Sequence, residues 1–173
     1  MKTAVIYTSK TGFTRRYAKW IAEAAQADCF DLKQVQKKDF SDYDAIIYGG
    51  WVCAANVSHL KWFQNHLPQW TGKRLIVFAV GGSPADSPDI QSFMDRTFGG
   101  EEFRDVAAFY CPGGLSYENM SVPSRTMMRL FVKSVAAKKD KTPYEAEAAR
   151  TMANSYDISD RKHIAPILSS LSI

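Results

Sequence analysis

A chain of 173 residues, 46% hydrophobic and 23% charged, is long enough for one well-cored domain and short for two. No apolar run approaches the roughly 20 residues that span a bilayer, and a net charge of +4 is too small to indicate nucleic-acid binding. Cys29, Cys53 and Cys111 are few and far apart with no C-x-x-C pair, which argues against a zinc or dithiol site and suits reduced thiols in the cytoplasm.

The opening MKTAVIYTSK carries too short an apolar run for a secretory leader and reads as a first strand over residues 3–7. From Thr14 the apolar positions Tyr17, Ala18, Ile21, Ala22 and Ala25 fall at helical spacing, which predicts a helix ending near Asp28. CFDL (29–32) predicts a second strand. YDAIIYGG (43–50) predicts a third, apolar almost throughout, as a strand covered on both faces should be. Ser58 is placed to cap a helix carrying Leu60, Phe63 and Leu67, stopped by Pro68. KRLIVFAVGG (73–82) predicts a fourth buried strand. Ser87 and Pro88 read as a cap and a first-turn proline for a helix carrying Ile90, Phe93, Met94 and Phe98, closed at Gly99 and Gly100. DVAAFYCPGG (105–114) predicts a fifth strand. Beyond it, residues 121–139 read as a helix with Pro123 in its first turn and Met127, Met128, Phe131, Val132 and Val135 on one face. A second helix is expected over 144–153, and Ser159 or Asp160 is expected to cap a final one. No repeat, low-complexity tract or linker divides the chain, so a single domain over 1–173 is expected.

Strands alternating with single helices imply a parallel sheet covered on both faces. The expected fold is therefore α/β, a doubly wound five-stranded parallel sheet of order 2-1-3-4-5, with an added helical segment at about residues 115–155. In such sheets the ligand lies in the crevice at the carboxyl ends of the strands. Strands one, three, four and five end in TSKTG, GGWVCAAN, GGSPADS and PGGLSYEN, so four glycine- or hydroxyl-rich loops meet at one edge.

SKTGFT is either an ordinary strand-to-helix connection or a loop shaped to hold an anion. Backbone N–H groups at a helix N-terminus have no intrahelical partner, and the helix dipole favours negative charge there. A phosphate would take bonds from those N–H groups and from the hydroxyls of Ser9, Thr11 and Thr14, with Gly12 allowing close approach. The alternative is an ordinary turn, in which Thr14 caps the helix and Ser9 and Thr11 satisfy the turn backbone. The pattern is neither GxxxxGK[ST] nor GxGxxG, and nucleotide hydrolysis has no support.

S-x-T-G-x-T directly after the first strand, with the two other Gly-rich strand ends, resembles the FMN phosphate loop of the flavodoxin superfamily over roughly residues 1–114. The resemblance implies FMN as cofactor, with phosphate held at Thr8, Ser9, Lys10, Thr11, Gly12, Phe13 and Thr14. It places Gly50, Trp51, Val52, Cys53 and Ala54 along one face of the flavin ring, and Gly81, Gly82 and Ser83 near its other edge. Trp51 is the natural stacking residue, since an aromatic face suits a flat flavin; the alternative is a hydrophobic plug over the sheet. Two departures separate the chain from electron-carrier flavodoxins. Those are typically strongly acidic, and their third loop usually supplies a second aromatic that GGSPADSPD lacks. The tail, GGLSYENMSVPSRTMMRLFVKSV followed by a basic stretch and SYDISDRKHIAPIL, resembles the bacterial FMN-dependent protoporphyrinogen oxidase family. That resemblance implies electron transfer from a porphyrinogen to quinone or another acceptor.

Arg125, Arg129 and Lys133 recur every four residues beside the apolar face of their helix, and Lys138, Lys139 and Lys141 follow. Such a helix suits an anionic membrane surface or a propionate-bearing substrate; the alternative is a helix with its apolar face on the domain and a solvated charged edge. His59, His66 and His163 lack metal-ligand spacing, so no metal is expected. Cys53 reads as small-residue packing rather than a redox thiol. With no Ser-His-Asp set or paired carboxylates, the flavin would carry the chemistry. The expected function is an FMN oxidoreductase, cytoplasmic or peripheral at the inner face of the membrane. It would pass electrons from a porphyrinogen-like donor to quinone, another small molecule or a redox protein. Its rivals are a one-electron carrier docking on redox proteins and a response-regulator-like domain. The last is disfavoured because no acidic cluster ends the first strand.

Overall fold

Side chains along the central strands are apolar at almost every position, so both sheet faces need cover. The computed structural model describes residues 1–35 and 37–171. Strands β1 (Thr3–Tyr7), β2 (Asp28–Asp31), β3 (Ala45–Cys53), β5 (Arg74–Gly81) and β6 (Val106–Pro112) form the sheet, with β4 (Asn56–Val57) a short strand between β3 and β5. The order is β2-β1-β3-β5-β6, all parallel, and β4 adds to β3 antiparallel. For the five expected strands this is the order 2-1-3-4-5.

Period-2 alternation sorts the core into two layers. Val5, Ile47, Ile76 and Phe78 face α1 (Phe13–Ala25) and the C-terminal α7 (Ala165–Leu171). Ile6, Ile46, Tyr48 and Val77 face the other way, toward Phe63 of α3 (Leu60–His66), Trp70 and Phe103. A short helix α2 (Leu32–Val35) follows β2 and buries Leu32 and Val35. Helix α4 (Pro88–Phe98) buries Phe93 beside Val57 and Ala79. The added segment holds α5 (Val122–Ala137) and α6 (Pro143–Met152) between two tiny strands, β7 (Gly114–Leu115) and β8 (Tyr156–Asp157), which pair antiparallel.

Several local expectations change. Helix α1 starts one residue early, at Phe13, with Gly12 at its N-cap position. Strand β3 runs three residues past Gly50 and turns back into β4. Ser58 does not cap α3, because His59 occupies that position with φ 54 and the Ser58 hydroxyl instead accepts the Trp51 N–H at 2.9 Å. Among the described residues the buried Ser87 hydroxyl has no partner, and no side chain caps α4. A capping box that the sequence reading passed over starts α6: Thr142 N–H donates to Glu145 Oε2 at 2.7 Å, and Glu145 N–H donates to Thr142 Oγ1 at 3.1 Å. Asp160 does cap, accepting Lys162 N–H at 2.9 Å, but it starts a 3-10 turn (Arg161–Ile164) that leads into α7.

Tyr17 ties the ends of this architecture together. Its hydroxyl donates to Pro112 O at 2.6 Å and accepts Asp160 N–H at 3.1 Å, joining α1, β6 and the C-terminal segment. Burial pushes that hydroxyl up to about 12, so it remains a donor across the physiological range. Tyr17→Phe leaves both partners unpaired and is expected to lose about 1–3 kcal/mol, read by denaturant unfolding. An unchanged unfolding midpoint would show that neither bond contributes.

Candidate functional site

A cleft of about 500 Å3 opens at the carboxyl ends of β1, β3 and β5. Its floor is Lys10 and Thr11 of the first loop and Phe13 and Thr14 at the start of α1, with Val80, Gly81 and Gly82 at the end of β5. Trp51, Val52, Cys53, Ala54 and Ala55 form one side, and Gly114 and Leu115 close the base. The remaining wall comes from the added segment, through Met120, Ser124, Met127, Met128 and Phe131. Two-thirds of the expected residues thus meet in one place. Thr8, Ser9, Gly12, Gly50 and Ser83 do not line this cleft.

The first loop is built around a backbone constraint. Gly12 has φ 104 at the N-cap of α1 and supplies no capping side chain. The first helical bond is Arg16 N–H to Gly12 O at 3.0 Å, so the amides of the first turn have no intrahelical acceptor. Thr14 lies inside the helix, buried, and is not its cap. Ser9 does satisfy the turn, accepting Gly12 N–H at 3.2 Å, and Thr8 N–H anchors the loop to Gly49 O at 2.9 Å. A Cβ on Gly12 would meet nothing within 4 Å, so this glycine serves its positive φ, and the space beside it is open. Lys10, Thr11 and Thr14 line the cleft beside the free first-turn amides, and no carboxylate lines it. This donor set fits a phosphate dianion. Lys10 and Thr11 also border a smaller polar depression that adjoins the cleft, with Ser9, Gly12, Arg15, Asp31 and Asn119.

The second loop is a hairpin. Ala54 and Ala55 have φ 47 and 60, the left-handed pair of a two-residue turn that Asn-Gly ordinarily supplies. Gly50 faces the returning strand, since a Cβ there would lie 2.5 Å from Val57 Cγ1. That correction moves Gly50 from ring contact to strand packing. Tyr48 OH and Trp51 N–H both donate to Ser58, at 2.6 and 2.9 Å, which fixes where Trp51 leaves the sheet. Lys10 Nζ lies 5.5 Å from the Trp51 ring centroid and donates to Ser124 Oγ, linking the first loop to α5. Cys53 is exposed at the hairpin.

Two tyrosines hold the third loop. Tyr156 OH donates to Gly82 O at 2.7 Å and Tyr110 OH to Ser83 O at 2.8 Å. Burial pushes Tyr156 up to about 12 and raises Tyr110 further, so both stay donors. A Cβ on Gly82 would sit 2.8 Å from the Tyr156 hydroxyl, so a larger residue there would push the Tyr156 hydroxyl aside. Both carbonyls are drawn off by these bonds. Ser83 itself borders a small hollow against α6 instead of the cleft. Sequence reasoning missed Tyr110 and Tyr156, because each meets its carbonyl across a large gap in the chain. It did single out the apolar face of α5, without placing it on the cleft. Among the described residues no group of three His, Cys, Asp or Glu is arranged to hold a metal.

Replacing Ala55 by Gly relieves one left-handed alanine, which costs about 1–2 kcal/mol, partly offset by a more flexible unfolded chain. The variant is expected to unfold at higher denaturant concentration. Destabilisation would contradict the hairpin geometry.

A family model described as flavodoxin domain matches residues 4–142. The chain is similar to oxidised Flavodoxin 2 from Bacillus cereus, at 14% identity over 88% of this chain and 98% of that chain, with TM-score 0.43. It is similar to the Trp repressor binding protein from Bacillus subtilis, at 17% identity over 81% of this chain and 100% of that one, with TM-score 0.48. A Fusobacterium nucleatum flavodoxin mutant bound to flavin mononucleotide matches at 22% identity over 46% and 49% of the two chains, with TM-score 0.34. No curated protein matches the chain.

Proposed function

Because the chain belongs to the flavodoxin-domain family, we propose that it binds FMN in the cleft and serves as a flavin-dependent oxidoreductase. The observation that carries this reading is the first turn of α1. Its amides carry no side-chain cap beneath Gly12, and Thr11 and Thr14 beside them line a cleft whose lining holds no carboxylate.

Bound FMN supplies a ring that accepts a hydride or electrons and returns them to an acceptor. The chain's own residues bind and orient it. Thr11, Thr14 and the α1 amides take the phosphate. Trp51 offers an aromatic face to the ring. The third loop, with its carbonyls held by Tyr110 and Tyr156, presents the rest of its backbone to the ring edge. Phe13, Met127, Met128 and Phe131 exclude water from the cleft.

That wall supports a reading of the donor class. Met120, Met127, Met128, Phe131 and Leu115 give the cleft a largely apolar side, which suits a flat apolar donor such as a porphyrinogen, with quinone or another acceptor completing the cycle. This agrees with the protoporphyrinogen-oxidase-like layout of the tail. A one-electron carrier needs an open ring edge for a protein partner, whereas α5 borders this cleft.

The test is a flavin titration of the full chain beside Thr11→Ala and a Thr11→Ala/Thr14→Ala double variant. Hydrogen bonds to a charged group are worth about 1.5–3 kcal/mol, so each lost bond should weaken FMN about tenfold or more. Riboflavin, which lacks the phosphate, should keep its affinity. Equal losses for both ligands, with melting temperatures unchanged, would remove the phosphate from this loop.

A further inference from the structure

Helix α5 is the most exposed apolar element of the protein. Seven large hydrophobic residues are exposed among the described residues, and four lie on this helix: Val122 at 73%, Met127 at 60%, Leu130 at 61% and Phe131 at 53%. No α5 residue is buried. Of the apolar face named from the sequence, Met128, Val132 and Val135 are half-buried, whereas Met127 and Phe131 are exposed. Monomeric proteins rarely leave such side chains clustered unless the patch meets something.

The charge beside the patch says what kind of surface it meets. Residues 120–139 contain no Asp or Glu, and they carry Arg125, Arg129, Lys133, Lys138 and Lys139. Some of that charge is engaged within the fold. Arg125 donates to Met120 O at 3.2 Å, and Lys138 pairs with Glu145 at 2.6 Å. Arg129 lies over the Tyr117 ring with its residue exposed, and Lys133 and Lys139 are exposed. At 100° per residue, Arg129 and Lys133 form a row flanking the side that carries Leu130 and Met127. An apolar stripe with a basic flank is the signature of a helix lying in a bilayer interface.

We propose that α5 docks the protein on an anionic membrane surface, with Val122 and Leu130 entering the headgroup boundary and Arg129, Lys133 and Lys139 meeting lipid phosphates. No described helix is long and apolar enough to cross a membrane, so the contact is interfacial. A second copy of the chain fits this face poorly, because a two-fold contact through α5 sets basic rows against each other with no carboxylate between them. Met127 and Phe131 also line the cleft, so an apolar path runs from the docking face to the site. A donor or acceptor dissolved in lipid would reach the cleft along it; that last step rests on the flavin reading, whereas docking does not.

The test is co-sedimentation of the full chain with vesicles of phosphatidylcholine alone and of phosphatidylcholine mixed with phosphatidylglycerol. Flavin absorbance is recorded on the same samples. Binding is expected only with the anionic vesicles, and it should be lost in 1 M salt, where the screening length is about 3 Å. Val122→Ser/Leu130→Ser and Arg129→Gln/Lys133→Gln should each lower the bound fraction about tenfold while melting temperatures hold. No binding to anionic vesicles, or binding unchanged in both variants, overturns the proposal. A dimer in solution that Leu130→Ser dissolves gives the face to a second copy and overturns it as well. Vesicle binding without bound flavin supports docking and sinks the flavin reading, whereas flavin binding without vesicles does the reverse.

Discussion

The left-handed turn at Gly12 is the constraint on which the site depends. Strand β1 is buried on both faces to Tyr7, and α1 must begin by Phe13 to cover the sheet with Tyr17 and Ile21. So short a reversal ends with a positive φ, which glycine adopts without a Cβ penalty. A glycine cap brings no side chain to the helix end. The same geometry that packs α1 on the sheet therefore leaves its first amides free, and fold and binding chemistry share one residue.

The rest of the site is arranged by hydroxyl bonds between distant parts of the chain. Ser58 fixes the hairpin that presents Trp51, and Tyr110 and Tyr156 draw the third-loop carbonyls away. Tyr156 belongs to β8, beyond the 4–142 stretch that matches the family model. Tyr17 and the β7–β8 bridge hold that C-terminal segment in place. Gly114 is shaped to this bridge, because a Cβ there would lie 2.1 Å from Tyr156 O. The C-terminal segment thus acts as part of the site's scaffold.

The sheet order was legible because its strands are apolar on both faces and each is followed by a single helix, a pattern with few solutions. The sharp turn of the first loop was legible because a glycine between a buried strand and a helix marks a reversal that needs a positive φ. The hairpin was not. Strand β4 is two residues long, too short for periodicity, and Ala54-Ala55 contradicts the turn chemistry its geometry demands. Ser58 and Ser87 read as caps because local pattern is blind to the long-range acceptor or the buried gap that claims them. Helix α5 shows the limit most directly. Periodicity reveals that a face is apolar, and only the tertiary structure shows that it lines a cleft and faces solvent.

The central claim is that one cleft holds a flavin, with its phosphate on the α1 turn and its ring between the Trp51 hairpin and α5. A crystal structure of the full chain grown with FMN tests it most directly. The phosphate should lie within hydrogen-bond distance of the Phe13 and Thr14 amides and the Thr11 hydroxyl, with the ring against Trp51. A flavin bound elsewhere, or one whose phosphate points to solvent while the α1 amides stay unpaired, would contradict the account.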